Sequence, residues 1–231
     1  KVQGTSLAKT QYDRIGRTVR TFTLGKTDDS GYTDADDVSG DIVMEEHHTT
    51  YDNLTSTVKN RATVWRHPNE STSTYGALYA GTPSTSYSYS DITGRISITA
   101  MYYDSIDRMV DSVAYGTAGI TVSSGSWSRP GSAASRSSTA LRTTYSFTDD
   151  GLTKDVTDPK AIVHRTEYDA ARRKVTTIAN YVNGTPSSST ADDDQTIRYG
   201  YTNGVMTTMT ADLVSPDSDQ VTTYTYGVTR G

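Results

Sequence analysis

Thr157-Asp158-Pro159-Lys160-Ala161-Ile162-Val163-His164-Arg165-Thr166-Glu167-Tyr168-Asp169-Ala170-Ala171-Arg172-Arg173-Lys174-Val175-Thr176-Thr177-Ile178 is the stretch whose reading decides the fold. It contains two turns and two strands. Pro159 presets φ at the second position of a β-turn, and Asp158 before it is the usual partner. Ile162 to Glu167 and Arg173 to Ile178 mix apolar and polar residues with period two, the signature of strands with two different faces. Between them, the Asp169 carboxylate can accept hydrogen bonds from backbone amides two and three residues on. A residue near the end of that turn takes positive φ, most readily as glycine. A proline turn at one end and a Tyr-Asp turn at the other make antiparallel hairpins. Alternating the two gives a meander in which sequence neighbours are also neighbours in space.

The Tyr-Asp phrase recurs along the chain, as repeat architectures require. Tyr12-Asp13-Arg14-Ile15-Gly16-Arg17 is its clearest copy, with others at Tyr51-Asp52-Asn53-Leu54, Tyr103-Asp104-Ser105-Ile106-Asp107-Arg108 and Tyr168-Asp169. Tyr89-Ser90-Asp91-Ile92-Thr93-Gly94-Arg95 carries one extra residue, and looser versions stand at Phe147-Thr148-Asp149-Asp150-Gly151 and Tyr201-Thr202-Asn203-Gly204. An eighth begins at Tyr224. Outgoing strands follow, as in Arg17-Thr18-Val19-Arg20-Thr21-Phe22 and Arg108-Met109-Val110-Asp111-Ser112-Val113. The tyrosine before each turn and the arginine after it are expected to stack across their own strand pair, with the aspartate as counter-charge.

Composition supports an all-β class. Of 231 residues only 33% are hydrophobic, and 17 tyrosines outnumber 2 phenylalanines and 2 tryptophans, so the expected core is thin and amphipathic. Ser, Thr and Tyr dominate over helix formers. A net charge of -5 without a Lys/Arg cluster argues against nucleic-acid binding. No apolar run approaches the roughly 20 residues of a membrane-spanning helix. The absence of cysteine removes disulfides and thiolate metal sites without fixing the compartment. Lys1 in first place leads us to expect a piece of something longer.

The stretch from Asp155 to Val175 resembles the YD (Rhs) repeat, whose pattern runs T-D-P-x-G-x-x-x-x-x-Y-D-x-x-G-R. Ala161 stands where that pattern has the glycine of the proline turn, and Arg172 where it has the glycine of the Tyr-Asp turn. In bacterial Rhs proteins, wall-associated toxins, the Tc-toxin cocoon and teneurins, such repeats build a β-ribbon that spirals into a shell. The resemblance implies one YD-repeat β region over residues 1–231, a continuous twisted antiparallel meander, open or partly closed. It further implies an extracellular or cell-surface location, with other segments of the same protein or like subunits as partners. The residues carrying it are Tyr12, Asp13, Gly16, Arg17, Tyr51, Asp52, Tyr89, Asp91, Gly94, Arg95, Tyr103, Asp104, Arg108, Phe147, Gly151, Asp158, Pro159, Tyr168, Asp169, Arg173, Tyr201 and Gly204.

Polar insertions separate the hairpins at about 26–41, 69–86, 116–140, 183–195 and 212–220. The first is acidic and punctuated by glycine, and Asp34, Asp36, Asp37 and Asp41 form its candidate calcium set against the plainer reading of a solvated loop. His47 and His48 follow Glu45 and Glu46, but adjacent strand residues face opposite ways and cannot converge on one metal. His67 and His164 stand alone. Asp158-Pro159 reads as a turn, since no second Asp-Pro supplies the paired carboxylate of an aspartyl protease. No Gly-x-Ser-x-Gly elbow is present. The sequons at Asn53, Asn69 and Asn183 are expected by chance in a chain this rich in Ser and Thr. The leading expectation is a non-catalytic scaffold. Its alternatives are a binding module for carbohydrate or a receptor, with Trp127 among its loop residues, and a self-assembling fibre subunit.

Overall fold

The computed structural model describes residues 7–26, 37–53, 55–66, 74–117, 125–187, 192–214 and 217–227. Among the described residues thirteen strands form one antiparallel meander in sequence order and two more form a separate sheet, and the meander does not close into a barrel. The chain divides into two compact units, Lys1–Arg142 and Thr143–Gly231.

In the first unit the meander strands are β1 (Leu7–Tyr12), β2 (Thr18–Lys26), β3 (Ile42–Tyr51), β4 (Val58–Trp65), β6 (Arg95–Tyr103) and β7 (Met109–Gly116). β5 (Ser86–Ser88) and β8 (Ser126–Ser128) pair with each other. One face of this sheet is apolar, with Phe22, Leu24, Val43, Ala62, Val64, Ile96, Ile98, Ala100 and Val113 all buried. Leu78, Tyr79, Tyr87, Ile92 and Trp127, which cover that face, come from the insertions. The sequence reading expected a thin core and polar loops. The loops themselves supply the second layer, because a few apolar residues scattered among Ser and Thr are enough once they land on a sheet face. Each such burial is worth roughly 1.5–3 kcal/mol.

The second unit holds all but the first two residues of β9 (Leu141–Phe147), and β10 (Thr153–Thr157), β11 (Val163–Tyr168), β12 (Lys174–Ala179), β13 (Gln195–Thr202), β14 (Val205–Ala211) and β15 (Gln220–Thr223). Among its described residues Ile178 is the buried hydrophobic one. Polar rows replace the core. Asp155 holds Arg165 through two hydrogen bonds of 2.7 and 2.9 Å, and the Arg165 guanidinium lies 3.7 Å from the Tyr181 ring centroid.

In both units the two ends of the strands have different connections. The Tyr-Asp turns join β1–β2, β3–β4, β6–β7, β9–β10, β11–β12 and β13–β14, while the insertions and the Asp158-Pro159 turn make the connections between these hairpins. The copy at Tyr89 is a correction. Tyr89–Asp91 is a 3-10 turn inside the insertion between β4 and β6, not a hairpin tip. Gly94 there sits so close to the Trp65 carbonyl that a Cβ would meet its oxygen at 2.6 Å, and Arg95 opens β6.

Candidate functional site

The repeated turn is built the same way each time. At Asp13, Asp104 and Asp169 the carboxylate accepts from the amide two residues on (Ile15 3.0 Å, Ile106 3.1 Å, Ala171 2.9 Å). It also accepts from the amide four residues on (Arg17 2.9 Å, Arg108 3.0 Å, Arg173 2.9 Å), not three as the sequence reading had it. The second oxygen takes the Nε–H of that same arginine at 2.6 to 2.7 Å. An extra residue in left-handed conformation forces the fourth position to be the one in reach. Gly16, Asp107, Gly151, Ala161 and Arg172 all have φ between +61° and +87°. Asp158 repeats the amide pattern with Lys160 and Ile162. Thr148 replaces it with a hydroxyl that accepts from Leu152 N.

These contacts hold the Asp13, Asp104 and Asp169 carboxyls below the usual carboxylate range. At Asp169 the Arg173 side chain contributes most, and at Asp104 the Arg108 amide does. At Asp13 desolvation opposes, and the amide and side chain of Arg17 outweigh it.

Past each turn the outgoing strand carries one extra residue, at Val19, Lys59, Val110, Lys154, Val175 and Thr207. Each bulge adds right-handed twist at the same place in its hairpin. The repeated geometry sets up a contact between hairpins where the sequence predicts one within each hairpin. Arg17 stacks on Tyr51 and Arg173 on Tyr201, each at 4.5 Å, so arginine meets the tyrosine of the next hairpin and not its own.

A tyrosine hydroxyl ladder runs alongside. Tyr51 donates to Thr18 O, Tyr103 to Val58 O, Tyr168 to Thr153 O, Tyr201 to Lys174 O and Tyr226 to Met206 O, at 2.7 to 3.1 Å. Each acceptor is the first residue of the outgoing strand of the preceding hairpin, or, for Met206, the second. Tyr226, not Tyr224, thus occupies the repeat position of the last copy. Phe147 lacks the hydroxyl, and Tyr12 stands 62% exposed on β1.

A buried polar cluster in the first unit is not apparent from the sequence. Glu46 and His48 share a face of β3, and Arg20 on β2 lies opposite His48. His48 Nε2 is 2.5 Å and Arg20 Nε 3.1 Å from Glu46 Oε1. Glu46 Oε2 accepts from the amides of Leu78 (2.8 Å) and Tyr79 (3.3 Å), and Arg20 Nη2 donates to the carbonyls of Tyr79 and Gly81. His48 Nδ1 is 3.3 Å from the Tyr87 hydroxyl.

Burial holds the His48 imidazole below its ordinary value despite Glu46 beside it, and burial pushes the Tyr87 phenol up. A neutral His48 that donates from Nε2 and accepts at Nδ1 fits both contacts. Glu46 and His48 are at most 1% exposed, so this Glu-His-Tyr line ties a covering loop to the sheet. The period-two spacing of Glu46 and His48 was the available signal, obscured by the adjacent Glu45 and His47. His47 points outward to Thr63 and Glu45, as opposite faces require.

Asp34, Asp36 and His67 lie outside the described residues. Asp37 spends its carboxylate on Ser39 N and Oγ. Asp41 is turned to the Lys9 ammonium at 2.8 Å, and that ammonium also donates to Asp37 O at 2.5 Å. The chain thus puts its own cation beside Asp41. Among the described residues no group of three or more His, Asp or Glu side chains could hold a metal. Trp127 is buried against Tyr87 and Tyr115.

No protein-family model and no curated protein matches the sequence. Among solved structures the chain is similar to TcdB2-TccC3 without its hypervariable C-terminal region (15% identity, TM-score 0.36, 95% of this chain and 11% of that one). It is also similar to TcdB2-TccC3-Cdc42 (14%, TM-score 0.34, 88% and 10%) and to the Photorhabdus luminescens Tc holotoxin pore (14%, TM-score 0.33, 89% and 10%). The chain spans about a tenth of the length of each of these chains.

Proposed function

We propose that the chain is a non-catalytic scaffold segment, a self-reinforcing stretch of β-ribbon within a larger extracellular YD-repeat protein. The observation that carries this reading is the tyrosine ladder, in which every rung fastens a hairpin to the one before it. Such a rung does nothing for an isolated hairpin. It rewards adding another repeat, as repeat architectures demand. The test is graded weakening. Tyr→Phe substitutions at 51, 103, 168 and 201, combined stepwise, should lower the urea midpoint and protease resistance with each rung removed. Unchanged stability in the fourfold variant would sink the reading.

One observation favours a second reading, carbohydrate binding by the same ribbon. A groove of about 450 Å³ in the second unit is lined by Glu167, Thr176, Ile178, Tyr181, Asn183 and Arg198, among others, offering donors, acceptors and a ring. A glycan array showing binding that is lost in Tyr181→Ala, with the fold intact, would support it over the inert scaffold.

A further inference from the structure

We propose that Lys9 Nζ and the side-chain carboxyl of Asp41 condense to an intramolecular isopeptide bond, joining edge strand β1 to the segment that enters β3. Lys9 is 7% exposed and Asp41 is fully buried, with Nζ 2.8 Å from Oδ2. Apart from that ion contact, neither Asp41 oxygen has a hydrogen-bond donor among the described residues. This differs from the turn aspartates, whose oxygens are saturated by amides. The pair is also held in place. Asp41 N donates to Val38 O at 3.1 Å, Asp41 O accepts from Gly76 N at 2.8 Å, and Lys9 Nζ donates to Asp37 O. Lys9 lies opposite fully buried Phe22 in the strand register, and Val38 and Val43 flank Asp41 in the apolar cluster.

Burying a carboxylate that accepts no hydrogen bond from the described residues is costly, and the reaction begins with proton transfer from Lys9 Nζ to it. The transfer leaves a neutral amine beside a neutral carboxylic acid. The amine lone pair attacks the Asp41 carbonyl carbon and a C–N bond forms. The C–O bond then breaks, and the oxygen leaves as water. Of the three ammonium protons, two depart in that water and one stays on the amide nitrogen. No oxidant or reductant takes part. Fixed proximity supplies what a bimolecular reaction lacks, since reacting atoms held about 3–3.5 Å apart act as a near-attack pair.

The chain has no cysteine, so a disulfide cannot pin β1, which lies at the edge of the sheet beside β2. An amide between Lys9 and Asp41 does so. The use of the bond rests on the scaffold reading, but its presence is read from mass alone, so the two can fail separately.

The experiment is denaturing mass spectrometry of the purified chain, with proteolytic mapping, beside Lys9→Arg and Asp41→Ala. The expected result is wild type lighter than its sequence mass by one water, a branched peptide joining Lys9 to Asp41, and both variants at full mass. Denatured protein is weighed, so a variant that folds poorly is still informative. Wild type at full sequence mass would overturn the proposal, leaving an ion pair. Loss of the same water in either variant would also overturn it, since the dehydration would then lie elsewhere.

Discussion

Asp169 bonds two backbone amides and one guanidinium, and Asp13 and Asp104 do the same, so all three contribute to the pH dependence of stability. The folded-state pKa of each is depressed. Each therefore contributes stability that is present above the unfolded value of about 3.9 and is lost as pH falls through the lower folded value. The urea midpoint should hold level near neutrality on account of these groups and decline below about pH 4, with a shallower decline in the triple Asp→Asn variant. His48 works in a higher window. Its depressed value means the folded chain favours neutral imidazole, so its contribution is full above about pH 6.5 and fades as pH falls toward the folded value. His48→Gln should remove that upper shoulder and leave the acid limb. The αL position of the turn gives a paired test by urea denaturation. Gly16→Ala, at φ +82°, should cost about 1 kcal/mol. Arg172→Gly, at φ +61°, should be neutral or stabilising by up to about 1 kcal/mol.

Hairpins become a ribbon at the next scale, through tyrosine hydroxyls and arginine planes that cross from one hairpin to the next. Tyr168→Phe removes one donor from Thr153 O and should cost about 1 kcal/mol in urea unfolding. Tyr12→Phe serves as the control, because Tyr12 has the same motif but no hydroxyl partner among the described residues, and it should be silent. The motif positions were legible from sequence because Asp, Gly and Arg are tied to local turn geometry. The partner of each tyrosine was not. That partner depends on the bulge at Val19, Lys59 or Val175, which no residue type announces.

At the scale of the whole molecule, each unit uses one plan with different filling. The first unit covers its sheet with inserted chain and locks that cover through Glu46. Glu46→Ala leaves the largely buried Arg20 guanidinium without its carboxylate and the amides of Leu78 and Tyr79 without their acceptor, and should destabilise this unit by about 3–5 kcal/mol. Hydrogen exchange should register the loss first in residues 76–92 and on β2 and β3. The second unit has a single buried aliphatic residue among those described and relies on charged rows such as Asp155–Arg165. Asp194 completes one of its loops. Burial of its carboxylate is outweighed by the amides of Val182, Gly184 and Asn183, which hold it below its ordinary range.

The sequence by itself determined the all-β meander, the places of most hairpin tips and the ends where insertions emerge. Period-two alternation and Asp-Gly turn chemistry act over six residues or so and need no distant partner. The tertiary structure alone decided which phrase is not a tip, as at Tyr89, and that serine-rich insertions carry the lid of a core. It also decided that Lys9, Asp41, Glu46 and His48 are buried. Burial and cross-hairpin contact depend on residues far apart in the chain, and their cost or gain exists only once the sheet has brought those residues together.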